Sequence, residues 1–295
     1  MMNHIYKTVW NKSKQMFVVV SEIAGSNGKA ASEKSTGSPS TITQTFTATL
    51  TALASLLFVQ NIQANPTQAL GSTLVHNANN GVQVIDIAAA NQAGISHNRY
   101  INYNVNQTGQ VLNNAPMSAQ NLSVMTNLAG KIHTNANLKD SARLILNEVT
   151  GTQRSALNGY IEVAGQKADV VIANPYGITC TGCGFINTDY SVLTTGKPNI
   201  GRDGRLTSFD ITSGDITIDG LGLNAADQPI LKLIARNLYL NGQVNAQDLT
   251  VVTGANQYNF ETGQVNRIAT DANQPSYAID STQFGGIYAN KINLL

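Results

Sequence analysis

The chain has 295 residues, and only 12% of them are charged, with 18 Lys and Arg set against 17 Asp and Glu. Such a near-neutral surface with no basic stripe argues against a nucleic-acid partner. The length suffices for one sizeable core.

Residues 1–64 do not read as part of a fold. Lys7, Lys12 and Lys14 precede a short apolar run, Phe17 to Val20, and a polar Gly/Ser-rich spacer extends from Ser21 to Ser40. A longer apolar stretch then runs from Phe46 to Val59 and ends in Asn61-Ile62-Gln63-Ala64. A basic start, an apolar middle and a small residue at the end make a secretory signal, read by the Sec translocon and cut between Ala64 and Asn65. A membrane anchor is the competing reading, but this stretch is broken by threonines and falls short of the roughly 20 apolar residues that span a bilayer. The two-part signal is also longer than the usual about 15–30 residues, so the extra segment implies control over export. The remaining residues, 65–295, carry 13 basic and 15 acidic side chains, a net of −2 (13 − 15).

Thirty asparagines fall between Asn65 and Leu295. Asn tolerates left-handed backbone and favours turns, so a chain this rich in it is full of corners. Between the corners the period is two. "GVQVIDIA" (81–88), "YINYNVN" (100–106), "FDITSGDITIDG" (209–220), "NLYLNG" (237–242) and "DLTVVTG" (248–254) alternate apolar and polar residues or run β-branched, and each ends at Gly or Asn or close to one. The best helical candidate, Ala142–Leu146, is too short, so the expected class is all-β. Two internal similarities bear on the architecture. Ile216–Gly220 resembles Leu238–Gly242 at an offset of 22 (238 − 216), and Ile234–Leu240 resembles Tyr288–Leu294 at an offset of 54 (288 − 234). Faint repeats of short strands suggest a solenoid, with an ordinary β-sandwich as the alternative.

Both cysteines sit in "NPYGITCTGCGFINT" (174–188). An exported chain meets an oxidising compartment, where thiols pair. A structural zinc site needs four ligands, and His76, His97 and His133 lie far upstream without metal-binding spacing. A thioredoxin-like centre needs a helix after the pair, and Gly177, Gly182 and Gly184 surround it instead. A short-loop disulfide, Cys180–Cys183, bracing a turn is the favoured reading, and replacing both cysteines by serine is expected to cost about 1–3 kcal/mol. No metal or cofactor is expected.

"NEVTG" (147–151), "GYIEVAGQKADV" (159–170) and "VIANPYGITCTGCGFINT" (171–188) resemble the N-terminal secretion domain of the two-partner-secretion exoproteins. That family includes filamentous haemagglutinins, haemolysins and contact-dependent growth-inhibition proteins of Gram-negative bacteria. The likeness continues through "ANQAGISHNRYINYNVNQTGQVLNN" (90–114), "LTTGKP" (193–198) and "FGGIYANKI" (284–292), and so covers nearly all of 65–295. It implies a right-handed parallel β-helix with an N-terminal cap and small extra-helical strands. It also implies recognition in the periplasm by a dedicated outer-membrane β-barrel transporter, whose periplasmic domains bind the unfolded or partly folded segment and start its passage outward, and a final location outside the cell or on its surface. Two family motifs transfer with departures. Asn135-Ala136-Asn137-Leu138 lacks the family's proline at its second place, and Asn174-Pro175-Tyr176-Gly177-Ile178 carries Tyr where the family usually has Asn. Either motif is a recognition element or a turn needed for folding, where an Asn side chain bonds nearby backbone amides. If folding alone is served, Asn→Ala should cost about 0.5–2 kcal/mol. Asn174 is expected to matter more than Asn135, whose motif has already lost its proline.

Two other functions compete. Parallel β-helices host glycan-cleaving enzymes that use clustered acids, and Asp215 and Asp219 are four apart, but a solvated turn pair is the plainer reading. No Gly-x-Ser-x-Gly, His-Glu-x-x-His or phosphate loop occurs in 65–295, so an enzyme is not expected. A free-standing adhesin that binds a cell-surface receptor or glycan is the alternative, given the ten tyrosines and many asparagines. "ANKINLL" ends in what reads as a strand with no polar cap, so a fragment, a truncated product or a minimal secretion module are all expected possibilities.

Overall fold

A computed structural model describes residues 6–11, 16–21, 66–118, 120–270 and 276–295. It divides the chain into two units, Met1–Val59 and Gln60–Leu295. In the first unit, Tyr6–Asn11 pairs antiparallel with Met16–Ser21. This hairpin is local β-structure within the segment read as an export signal. The β-branched run Val18-Val19-Val20 favours extended backbone and finds partners in Val9, Thr8 and Lys7. The rest of the spacer, the apolar stretch 46–59 and the junction Ala64–Asn65 lie outside the described residues.

The second unit is a parallel β-helix whose coils have three faces. The first face stacks Ile95–Asn102, Leu144–Val149, Asp169–Ala173 and Tyr190–Thr194, then the later halves of Leu223–Ala235 and Gln243–Thr253. The second stacks Gln83–Asp86, Gln110–Asn114, Tyr160–Gly165 and Cys183–Ile186, then the earlier halves of the same long strands. The third stacks Ser155–Leu157, Ile178–Cys180, Asp215–Ile218, Asn237–Leu240 and Ile279–Ser281. Gly286–Leu294 forms the last rung on both the first and second faces. Every one of these pairings is parallel, because each strand meets its counterpart one full coil later. The step is 25 residues from Leu144 to Asp169 (169 − 144), 21 from Val170 to Ser191 (191 − 170) and 18 from Ile230 to Asp248 (248 − 230).

The repeats read from the sequence divide against this geometry. Ile216 and Leu238 are direct register partners, so the 22-residue similarity is one coil stacked on the next. The 54-residue similarity is not a stack. Ile234 pairs with Val252, and Tyr288 pairs with Asn245 on another face. That resemblance reflects alternating composition alone.

The core runs down the axis as columns of aligned side chains. Ile172, Leu193, Leu233 and Val251 follow one another on the first face, and Leu157, Cys180, Ile218 and Leu240 on the third. Each fully buried aliphatic contributes about 1.5–3 kcal/mol. The first face is apolar on its outside as well. There Leu144, Leu146, Val171, Val192, Ile234 and Val252 pack against Leu206, Phe209, Ile211 and Tyr258. The last four belong to a four-stranded antiparallel sheet outside the helix, Lys197–Ile200, Leu206–Ile211, Asn256–Asn259 and Val265–Arg267. Strands covered on both sides read as continuous apolar runs rather than alternations. That is why "LILNEV" (144–149) overlaps the one stretch that looked helical, and it is a strand.

A hairpin, Ser123–Thr126 with Gly130–His133, covers the outside of the second face through Ala129 and Ile132. The Glu162 carboxylate holds this hairpin. It is 4% exposed and accepts the backbone N–H groups of Asn127 (2.7 Å) and Leu128 (2.8 Å). Among the described residues, the third face has no such cover, and its outward residues Ala156, Thr179, Thr217 and Tyr239 are half-buried. At the start of the helix, Gln68–Leu70 and Leu74–Asn77 pair antiparallel with the first coil and form the cap.

Asp169 sits at the edge of the covered first face, and burial pushes its carboxyl up to about 6, helped by the charge of Asp189. A carboxyl raised in the folded state favours folding while protonated, and that contribution disappears as pH climbs from the ordinary carboxylate range through about 6. Asp169→Asn should therefore melt higher than the parent at pH 7.5 and close to it at pH 4. Equal melting differences at the two pH values would contradict this assignment.

Candidate functional site

The Asn174–Ile178 motif turns the chain from the first face to the third. Asn174 ends the strand Asp169–Ala173 and is fully buried. Its Oδ1 accepts the Tyr176 N–H at 2.9 Å, an Asx-turn, while the Gly177 N–H donates to the Asn174 carbonyl at 3.0 Å. Its Nδ2 donates to the Gln153 carbonyl and to Ser155 Oγ, both 2.9 Å away on the preceding coil. Pro175 suits the second place of such a turn because its φ is fixed. Gly177 has φ +107°, and a Cβ there would press on the Arg154 guanidinium and on the Asp215 carbonyl. Ile178 then enters the core.

The Asn135–Leu138 motif is built the same way at the corner that leads into the first face. Asn135 is buried, its Oδ1 accepts the Asn137 N–H at 2.9 Å, and its Nδ2 donates to the carbonyls of Ile87 and Asn113, each at 2.9 Å. Asn137 reaches back to the cap through the Ser72 carbonyl at 2.9 Å, and Leu138 joins the core. Ala136 is exposed. Without a proline the turn still forms, because the Asx bond and the two Nδ2 bonds fix it. The two motifs share no hydrogen-bond partner, so the fold does not bring them into one site.

Cys180 ends one third-face strand, Cys183 begins the next second-face strand, and a disulfide joins them across the corner with a Cα–Cα distance of 5.4 Å. Both cysteines belong to the core. The tip of the loop is tied to neighbouring coils by Thr181 N–H to the Leu157 carbonyl (2.9 Å) and Gly182 N–H to the Gly222 carbonyl (2.8 Å). Gly182 takes φ +83°, which a side chain would strain.

The solvated-turn-pair reading of Asp215 and Asp219 needs correction at Asp215. Asp215 is no solvated turn residue, because the Arg154 guanidinium binds its carboxylate through both terminal nitrogens, Nη1 to Oδ1 at 3.1 Å. Arg154 also donates through Nε to Thr179 Oγ1 at 2.7 Å and through Nη2 to the Ile178 carbonyl at 3.3 Å. It thereby clamps three successive coils beside the Asn174 turn. Asp219 lies past the strand end, and its Oδ1 accepts the Gly220 N–H at 2.8 Å. Sequence reasoning missed Gln153, Arg154, Ser155 and Glu162. Their partners are 19 to 63 residues away in the chain, and no local spacing signals such contacts. The arrangement offers turn geometry and a braced corner. Among the described residues, no cluster of His, Cys, Asp or Glu could hold a metal ion.

Residues 61–295 match the TPS secretion domain family. The chain belongs to that family. Residues 2–51 match the Extended Signal Peptide of Type V secretion system. Among curated relatives, the 16S rRNA endonuclease CdiA of Enterobacter cloacae subsp. cloacae is 48% identical over 227 residues, which is 76% of this chain and 7% of that protein. The Toxin CdiA of Yersinia pestis is 38% identical over 308 residues, 100% of this chain and 9% of that protein. A crystal structure of a filamentous hemagglutinin secretion domain superposes with a TM-score of 0.72 at 36% identity, covering 78% of each chain. The chain thus spans under a tenth of the curated relatives it matches. The TPS secretion domain with its type V signal extension assigns the chain to export, secreted from a Gram-negative cell or held at its surface. The solenoid described above is the fold of that secretion domain.

Proposed function

We propose that residues 65–295 are the export-targeting domain of a larger secreted adhesin or growth-inhibition toxin, engaged in the periplasm by a cognate outer-membrane β-barrel transporter. Residues 1–64 deliver the chain to the Sec translocon and are cut off between Ala64 and Asn65. The domain performs no catalysis. Nuclease activity of the kind named in the CdiA relatives belongs to parts of such proteins beyond this span. The observation that carries the reading is the TPS secretion domain match over 61–295, preceded by the type V signal extension over 2–51. The two Asn motifs and the Cys180–Cys183 brace serve the folded domain by fixing the corners of the coils. The test is retention of the exported chain by the purified periplasmic region of the barrel. Retention above that by an unrelated barrel's periplasmic region is expected, and equal retention by both would overturn the proposal.

A further inference from the structure

Cys180 and Cys183 are 0% and 1% exposed, yet only Thr181 and Gly182 separate them in the chain. The short separation lets the pair close in an unfolded chain with little loop to organise. The burial shuts the finished corner to any second protein. What buries it comes from both neighbouring coils. The preceding coil supplies Leu157, in register with Cys180. The following coil supplies Ile218, in register with Cys180, and Leu223, in register with Cys183. The Gly222 carbonyl oxygen lies 3.3 Å from Cys180 Sγ and accepts the Gly182 N–H at 2.8 Å. The Asp219 N–H donates to the Cys180 carbonyl at 2.8 Å. Half of the covering therefore stands far along the chain, with Ile218 placed 38 positions after Cys180 (218 − 180).

Thiol–disulfide exchange needs a thiolate to reach a sulfur of the oxidant and to form a mixed disulfide between the two molecules. No protein oxidant fits over sulfurs packed in this way. We infer that Cys180 and Cys183 are the substrate of a periplasmic protein dithiol oxidase while residues 215–223 are still unstacked, and that coiling then locks the product in. One cysteine thiolate attacks the oxidant's disulfide, and the other displaces the mixed disulfide. The two thiols of the chain become one S–S bond, and the oxidant leaves as a dithiol with both electrons and both protons. The closed corner then joins Ile178–Cys180 to Cys183–Ile186 in a fixed geometry, an edge on which the next coil stacks. The inference rests on export from the cytoplasm and is independent of the transporter reading.

The test follows the exported chain, reduced and unfolded in urea, with glutathione disulfide as oxidant and alkylation of free thiols as the readout. Circular dichroism reports whether the reduced chain coils on return to native buffer. A coiled, reduced chain should oxidise at least about 100-fold more slowly than the unfolded one, since the exchange waits for opening of the coil. A reduced chain that coils only after oxidation supports the same order. The oxidised native chain should also keep its disulfide in dithiothreitol at least about 100-fold longer than in urea. Equal rates for coiled and unfolded chains in either direction would overturn the inference. In cells that lack the periplasmic dithiol oxidase, the chain should carry two free thiols, and parental oxidation there would overturn the part given to the enzyme.

Discussion

Asn174→Ala should destabilise the secretion domain by about 2–3 kcal/mol, more than a surface turn would suggest. The substitution removes the Oδ1 acceptor of the Asx-turn and both Nδ2 donors, leaving the Gln153 carbonyl and Ser155 Oγ without their partner in a buried corner. For a domain of this size that corresponds to a fall in melting temperature of about 5–10 °C. Asn135→Ala should cost nearly as much, because Asn135 makes the same set of bonds to Ile87, Asn113 and Asn137. For stability, the two sites are therefore nearly matched in bonding, although Asn174 begins the braced segment ahead of Cys180 and the Asn135 motif lacks proline. Thermal unfolding of the two single variants, followed by circular dichroism, decides the matter. A loss under about 0.5 kcal/mol at either site would contradict the account.

Removing the disulfide should have a larger effect, and the choice of replacement should matter. Closing so small a ring is worth about 2 kcal/mol in chain entropy. Both sulfurs are packed in the core, however, where register partners Leu157, Ile218 and Leu223 surround them. The Cys180→Ser, Cys183→Ser pair puts two hydroxyls there at about 1–3 kcal/mol each, so the total should reach about 4–8 kcal/mol. This exceeds the about 1–3 kcal/mol expected from the small loop alone. The Cys180→Ala, Cys183→Ala pair should lose only about 2–3 kcal/mol, since no hydroxyl is buried. Equal losses for the two pairs would show that the polar burial is not felt.

The sequence made the strands and their class legible, because a period of two ended by Gly or Asn is a local property. The five segments singled out, from Gly81–Ala88 to Asp248–Gly254, all contain β-structure. It made one true coil legible as well, where Ile216–Ile218 and Leu238–Leu240 carry the same apolar pattern on adjacent rungs. The rest depended on contacts between distant residues. The outward apolar residues of the first face, such as Leu146, Val171 and Val192, are explained only by the extra-helical sheet that covers them. The same blindness applied at the candidate site. The Asx-turns were readable at Asn135 and Asn174, but the cross-coil donors to Gln153 and Ile87 were not, nor was the Arg154 clamp on Asp215. Asp215 read as half of a solvated turn pair because its partner lies 61 residues away.

The most direct test of the central claim is fractionation of cells expressing the full chain with its signal, in matched strains that carry or lack the cognate outer-membrane barrel. The account predicts a mature protein starting at Asn65, recovered from the medium or cell surface when the barrel is present and confined to the periplasm when it is absent. Equal amounts outside the cell in both strains would contradict it.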